Sequence, residues 1–379
     1  MSELANKIAQ LSPEKRALLI QKLKGGDGPS KPAAATAAAA AKQWPNYCCS
    51  IETPGNFESI RFREIELMPP GPEQIQIRAK AVSLNFRDLM IAMNMYPPTP
   101  GVPSNMGSDY AGEVVACGEG VTDFAPGDEV IGLSAGTFTT DGQIVENSHF
   151  CAVPNISARQ AVKKPANISF AEAASIPTVF LTSYYALQHV ARMKAGERVL
   201  IHTATGGVGQ SAVQIAKWIG AEIFATAGSE EKRESLRASG IEHVMDSRST
   251  DFAAEVMEIT GGKGVDVILN TLSGEAVIKG MEILAPFGRF LQVDKNDIFR
   301  NTPLPLAPFK NGLTFAAIDL SLFLMQPDLL KELLLEITGH LSDGHFSPIP
   351  FTAYDFSELG AALTFLSRAK HTGKLVLTY

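Results

Sequence analysis

The sequence predicts an α/β protein of two lobes: a compact, mostly β lobe, and a lobe built on a six-stranded parallel sheet with helices on both faces. Three observations predict it. Up to about residue 180, short β-like runs such as "EQIQIRAKAVSL", "YAGEVVACG" and "GDEVIGL" alternate with Gly and Pro punctuation. Beyond it, apolar runs at 198–204, 222–227, 243–246, 265–270, 288–293 and 313–318 are separated by helical or looping segments. That is the βα alternation of a parallel sheet buried on both sides. Finally, 379 residues exceed the ~100–200 that one domain usually holds.

Along the chain, "LSPEKRALLIQKL" reads as a helix: Ser12 can cap it, Pro13 suits its first position, and Leu18, Leu19 and Leu23 form an apolar stripe. Residues 1–24 are therefore read as a helical linker or docking segment. The stretch 25–43, mostly "GGDGPSKPAAATAAAAAK", is too rich in Gly, Pro and Ala to build a core and reads as a flexible tether. The folded part is expected to begin near Trp44, with 44–181 forming the β lobe and 182–317 the parallel-sheet lobe. The tail "LGAALTFLSRAKHTGKLVLTY" reads as a helix, a Gly turn and a last strand. Because the six-strand sheet is already complete, residues 318–379 are assigned to the β lobe.

Composition narrows the function. With 33 basic and 40 acidic residues the net charge is −7, which gives no basic footprint for nucleic acid. No stretch approaches the ~20 apolar residues of a membrane span. Cys48, Cys49, Cys117 and Cys151 show no CxxC spacing, and "MSELANKIAQ" lacks the apolar core of a signal peptide. The expectation is a cytoplasmic protein that binds neither nucleic acid nor membrane.

The most informative segment is "RVLIHTATGGVGQSAVQIAKWIG". Its strand is expected to end near Ala204; Gly206, Gly207 and Gly209 follow Thr205 as a turn, and Val208 begins a helix. Glycine lets a pyrophosphate approach the backbone closely, with its charge at the positive end of that helix. The pattern is A-x-G-G-x-G rather than G-x-G-x-x-G, but it lies between a strand and a helix, the context that dinucleotide binding requires. With the six-strand rhythm, this is a Rossmann domain. At the end of its second strand an NAD site carries an acid; here "ATAGSEEKR" offers Ser229, Lys232 and Arg233, suited to a 2′-phosphate and hence to NADPH.

The blocks "LNFRDLMIA", "GSDYAGEVVACGEGV", "PGDEVIGL", "AASIPTVFLTSYYAL", "TATGGVGQ", "GKGVDVILNTLSGE", "APFGRF" and "DKNDI" occur in this order over about residues 44–379. Through them the chain resembles the medium-chain dehydrogenase/reductase superfamily, and within it the enoyl reductase domains of polyketide synthases and animal-type fatty acid synthases. The resemblance implies a Rossmann NADPH-binding domain beside a GroES-like substrate-binding domain. It also implies an enoyl chain linked through phosphopantetheine to an acyl carrier protein, and neighbouring synthase domains as partners. Zinc-dependent members need a catalytic Cys, a Gly-His-Glu segment and a four-cysteine lobe. Here Gly107-Ser108-Asp109 stands in that segment and the cysteine lobe is missing, so no metal is expected.

The same resemblance places two candidate proton donors, Lys295 in "LQVDKNDIF" and Asp319 in "FAAIDLSLF", after the fifth and sixth strands. The family commonly has Gly before this lysine; this chain has Asp294, whose carboxylate is expected to hold the lysine charged. Asn85 and Asp88 match positions lining the nicotinamide, Thr178 and Thr182 positions near the cofactor, and Asn270 lies in the "ILNTLSGE" block among the cofactor-binding residues. Tyr96 in "MNMYPP" is a further catalytic candidate that would present its phenol to the α-carbon. His202 and His243 are given no role.

The function expected is NADPH-dependent reduction of the α,β double bond of a carrier-bound enoyl thioester in polyketide biosynthesis. The leading helix and tether resemble inter-domain linkers of modular synthases. Three alternatives stay open. They are hydride-initiated cyclopropane formation on a γ-halogenated enoyl thioester, a free-standing zinc-independent quinone or enone reductase, and a non-catalytic architectural domain.

Overall fold

The computed structural model describes residues 46–66, 68–96, 105–134 and 150–379. The helix expected within 1–24 and the tether at 25–43 lie outside the described residues. Val179–Leu320 form one compact unit, and the described residues up to Thr178 together with Ser321–Tyr379 form another.

The β unit begins with β1 (Tyr47–Ile51) paired antiparallel to β2 (Ile60–Glu64). There follow β3 (Gln74–Leu84), α1 (Phe86–Ala92), β4 (Asp109–Cys117), β5 (Glu129–Leu133), β6 (Asn155–Ser157), β7 (Ala161–Lys163), α2 (Phe170–Ala174) and α3 (Pro177–Tyr184). In β3 the residues Ile75, Ile77, Ala79, Val82 and Leu84 are buried against Tyr110, Val114, Phe356 and Leu363, so the long strand is the floor of this unit's core. The chain passes to the other unit within α3.

That unit holds β8 (Arg198–Ile201), α4 (Gly207–Ile219), β9 (Glu222–Ala227), α5 (Glu230–Ala238), β10 (His243–Asp246), α6 (Phe252–Ile259), β11 (Val265–Asn270), α7 (Glu275–Glu282), β12 (Leu284–Gln292), α8 (Asn296–Phe299) and β13 (Thr314–Ala317). The six strands are all parallel, in the order β10-β9-β8-β11-β12-β13. The central strands are fully buried at Val199, Leu200, Ile201, Val267, Ile268 and Leu269, as expected for apolar runs without alternation. Direction of growth reverses between β8 and β11, which is where an open α/β sheet binds its ligand.

Two boundaries differ most from the sequence reading. β8 ends at Ile201 rather than near Ala204, because Thr203 turns into the left-handed region (φ 51°), and α4 starts at Gly207 rather than Val208. β12 starts at Leu284 and runs through the "APFGRF" block, with exposed Phe287 at φ 64°.

After α9 (Pro327–Ser342), β14 (Phe351–Asp355), α10 (Leu359–Ser367) and β15 (Lys374–Thr378) complete the β unit. β15 pairs antiparallel with β3, in the register Leu375 to Leu84, in a sheet of order β14-β15-β3-β4-β5-β7 with β6 also on β3. Tyr379 stacks on Phe356 with ring centroids 4.3 Å apart, and its hydroxyl donates to the carbonyl of Phe150 at 3.0 Å. No helix among the described residues is long and apolar enough to cross a membrane.

Candidate functional site

The glycines after β8 have separate jobs. A Cβ on Gly209 would lie 2.4 Å from the Cα of Ala204 and 2.5 Å from the carbonyl oxygen of Thr203, so only glycine lets α4 pack this close to its strand. A Cβ on Gly206 would meet only the Thr203 carbonyl, at 3.4 Å. The space around this position is otherwise open. Gly206 is the N-cap in extended conformation, and the first bond of the helix runs from the amide of Gln210 to the carbonyl of Gly206 at 2.8 Å. The N–H groups of Gly207, Val208 and Gly209 therefore stand outside the helical ladder at its positive end. α4 carries no acidic residue in its first turn to compete with an anion. Thr205 is buried at this turn. In α3, Thr182 is buried beside Ser183, whose hydroxyl bridges to the carbonyl of Val208 at 2.9 Å and to Ser211 at 2.7 Å. These contacts fasten α3 to the start of α4.

Past β9 the chain reads Ala227-Gly228-Ser229, with no acid at the strand end. Ser229 caps α5, its Oγ accepting from the amide of Lys232 at 3.4 Å. Arg233 is held by Glu230 at 2.7 Å, by Asp246 at 3.1 Å and by the carbonyl of Ala227 at 3.1 Å. A guanidinium that the sequence reading missed lies nearby: a Cβ on Gly228 would be 3.3 Å from Nε of Arg248. Parallel pairing puts Asp246 opposite Ala227, so the residues just after β10 arrive beside the turn after β9. The "DSR" following a strand adjacent to the nucleotide turn was the signal available.

At the ends of β11 and β12 the side chain of Asn270 is fully buried and turned inward. Its Nδ2 donates to Oε1 of Gln292 and to the carbonyl of Leu272, both at 2.6 Å, while Gln292 donates to the carbonyl of Asp294 at 2.8 Å. This amide pair fixes the loop that carries Lys295. Lys295 Nζ lies 2.5 Å from Oδ1 of Asp319, each side chain being about a fifth exposed. The two candidate proton donors, 24 residues apart in sequence, thus meet as an ion pair beyond the adjacent strands β12 and β13. Asp294, the neighbouring carboxylate expected to hold the lysine charged, accepts from the amide and the side chain of Asn296, closing the first turn of α8.

In the β unit, Asn85 opens α1, with Asp88 accepting from the amides of Asn85 at 2.6 Å and Gly107 at 3.0 Å. Burial raises the pKa of Asp88 from its ordinary value, against the amide hydrogen bonds and Arg87, which lower it. Tyr96 is half-buried beneath the guanidinium of Arg87, 5.1 Å from its ring centroid. Asp109 is fully buried. Oδ1 accepts from the amide and hydroxyl of Thr178 at 3.0 and 2.5 Å; Oδ2 accepts from Ser83 and Asn85, both at 2.9 Å, and from Lys374 at 3.3 Å. This cluster is the segment where zinc-dependent relatives carry Gly-His-Glu. It does not fit a zinc ion: Ser108 offers no imidazole, and an ammonium already neutralises Asp109. Among the described residues no group of three or more His, Cys, Asp or Glu side chains is arranged to hold a metal.

His202, left without a role, is buried at the end of β8 with Nδ1 3.0 Å from the hydroxyl of Thr226. Burial lowers its pKa to about 3, so it is neutral. His243 pairs with Glu222 at 3.2 Å on the partly exposed edge of the sheet.

A parallel six-stranded sheet with a glycine turn at its switch point, joined to a separate β unit, defines a nicotinamide-dependent oxidoreductase of the medium-chain dehydrogenase/reductase class. Residues 71–185 match the alcohol dehydrogenase GroES-like domain and residues 207–328 the domain described as zinc-binding dehydrogenase. In structure the chain is similar to CurK enoyl reductase, at TM-score 0.78 and 35% identity over 88% of this chain and 99% of that one. It is as similar to the CurF ER cyclopropanase from the curacin A biosynthetic pathway, at TM-score 0.78 and 31% identity with the same coverage. Phthioceranic/hydroxyphthioceranic acid synthase of Mycobacterium tuberculosis (strain ATCC 25618 / H37Rv) is 42% identical over 332 residues, 86% of this chain. The chain spans 15% of that synthase's length. The chain belongs to the enoyl reductase family of polyketide synthases, within the medium-chain dehydrogenase/reductases.

Proposed function

We propose that the protein uses NADPH to reduce the α,β double bond of an enoyl thioester carried on an acyl carrier protein. When bound, NADPH supplies the hydride for the β-carbon. The amides of Gly207, Val208 and Gly209 at the start of α4 would hold its pyrophosphate, and Ser229, Lys232, Arg233 and Arg248 its 2′-phosphate. The lack of an acid at the very end of β9, where Ala227-Gly228-Ser229 stands, and the position of Arg248 beside Gly228 support NADPH over NADH. By resemblance, Asn85 serves the nicotinamide, Thr182 lies near the cofactor and Tyr96 faces the α-carbon. That the M. tuberculosis relative is a synthase supports neighbouring synthase domains and a carrier-bound chain as partners.

Hydride addition at the β-carbon moves an electron pair toward the thioester oxygen, and the resulting enolate needs a hydrogen bond at oxygen and a proton at the α-carbon. Lys295 would supply these: its ammonium gives up a proton to the α-carbon and is reprotonated from solvent. Asp319 would keep the lysine charged and aimed. The observation that carries this reading is the 2.5 Å Lys295–Asp319 pair beyond the carboxyl ends of β12 and β13, the edge of the sheet where such folds bind ligands. General acid catalysis typically contributes about 10²–10⁴-fold. Lys295→Ala should therefore slow single-turnover NADPH oxidation by roughly that factor and leave NADPH affinity near wild type, with a smaller effect for Asp319→Asn. A change under about tenfold would leave water as the donor.

A second reading keeps the hydride step and changes the fate of the enolate. With a halogen on the γ-carbon, the α-carbon displaces halide and closes a cyclopropane without taking a proton. The likeness to the CurF cyclopropanase, at the same TM-score as to CurK, favours keeping it. Product masses from a γ-halogenated and a plain enoyl substrate separate the two.

A further inference from the structure

The buried cation of the β unit has no part in the proton chemistry above. Lys374, the first residue of β15, is 4% exposed at its side chain beside Asp109, which is not exposed at all. Its three ammonium donors meet three acceptors: the carbonyl of Leu84 at 2.9 Å, Oδ1 of Asn85 at 2.5 Å and Oδ2 of Asp109 at 3.3 Å. Burial lowers the lysine's pKa, and the Asp109 and Asp88 carboxylates oppose that shift. Taking two charges out of water is costly, and such a pair persists only where hydrogen bonds complete it.

The consequence falls on Asn85. Its oxygen faces the ammonium and its Nδ2 faces the carboxylate, so a flipped carboxamide would point NH₂ at Lys374 and oxygen at Asp109. One rotamer survives. The other oxygen of Asp109 fixes Thr178 by amide and hydroxyl at the start of α3.

We infer that Lys374 is a positioning residue for the reaction: with Asp109 it locks Asn85 and Thr178 in the orientation the bound cofactor requires. This rests on the reductase reading, since it is the resemblance that sets Asn85 beside the nicotinamide and Thr178 near the cofactor.

The test compares Lys374→Met, Lys374→Arg and the double variant Asp109→Asn/Lys374→Met with wild type, by thermal melting and by single-turnover NADPH oxidation at saturating NADPH. Lys374→Met strands a buried carboxylate and is expected to melt early. The double variant removes both charges and should melt close to wild type. It should nevertheless transfer hydride about tenfold or more slowly, because Asn85 is then free to flip. Lys374→Arg keeps the cation and should stay within about fivefold of wild type. A folded double variant with the wild-type rate overturns the inference and makes the pair structural only, as does an arginine variant as slow as the methionine one. A wild-type chain that oxidises no NADPH with an enoyl thioester overturns the reductase reading, and the inference with it.

Discussion

Two glycines three residues apart in the same turn should fail in opposite ways. In Gly209→Ala the new methyl falls 2.4 Å from the Cα of Ala204 and 2.5 Å from the Thr203 carbonyl, both backbone atoms that cannot rotate aside. Overpacking of this kind typically costs about 1–3 kcal/mol, and clashes with backbone belong at the upper end. At roughly 2–4 °C per kcal/mol for a unit of this size, a loss of about 3 kcal/mol lowers the melting temperature by roughly 6–12 °C. In Gly206→Ala the methyl finds 3.4 Å of clearance, and the cost to the fold is the weaker N-cap alone, on the order of 0.5–1 kcal/mol. The same methyl projects from the turn assigned here to the pyrophosphate, so cofactor affinity should fall about tenfold or more, which is ~1.4 kcal/mol. Differential scanning fluorimetry and NADPH fluorescence titration on both variants give the two readouts. Wild-type NADPH affinity in a folded Gly206→Ala protein would refute the assignment of this turn to the cofactor. An unchanged melting temperature in Gly209→Ala would refute the packing argument.

Lys232→Ala and Arg248→Ala should each weaken NADPH by about 10–100-fold, the equivalent of losing ~1.5–3 kcal/mol of charged contact, with NADH binding nearly unchanged in parallel titrations. Equal loss for both nucleotides would count against the 2′-phosphate site. His202, neutral with its pKa lowered to about 3, binds a proton far more readily once unfolded, at a pKa near 6.5. Stability is thus full above pH ~6.5 and falls as the pH drops toward 3, by about 2 kcal/mol at pH 5. Urea unfolding of wild type and His202→Gln at pH 5 and pH 7 should show this slope only in wild type; the same slope in both would reject the assignment.

The nucleotide unit was legible because its central strands are buried on both faces and read as bare apolar runs; the runs at 222–227, 243–246 and 265–270 coincide with β9, β10 and β11. The end of β8 was not, because the left-handed Thr203 leaves no mark in composition. Lys295 and Asp319 could be placed after successive strands, yet that they pair with each other follows only from the parallel register of β12 with β13. That Asp294, next to the lysine in sequence, also closes the turn of α8 through Asn296 was not legible, because that turn leaves no mark in the spacing of the charges. Arg248 was not legible beside this turn because it lies beyond the helix after β9, and its side chain arrives from the end of the next strand. Lys374 lies 289 residues from Asn85, and nothing short of the β3–β15 pairing joins them. Asp109 was visible only as the last residue of the Gly107-Ser108-Asp109 segment; its role as a hub appears once five donors are seen around it.

Hydride delivery to the β-carbon of a carrier-bound enoyl chain is read by mixing the protein with deuterated NADPH and an enoyl thioester on an acyl carrier protein, and weighing the intact chain by mass spectrometry. The expected product is saturated, with one deuterium at the β-carbon and one solvent hydrogen at the α-carbon, and forms faster with NADPH than with NADH. An unchanged enoyl chain, while the same protein reduces a free quinone, would contradict that expectation.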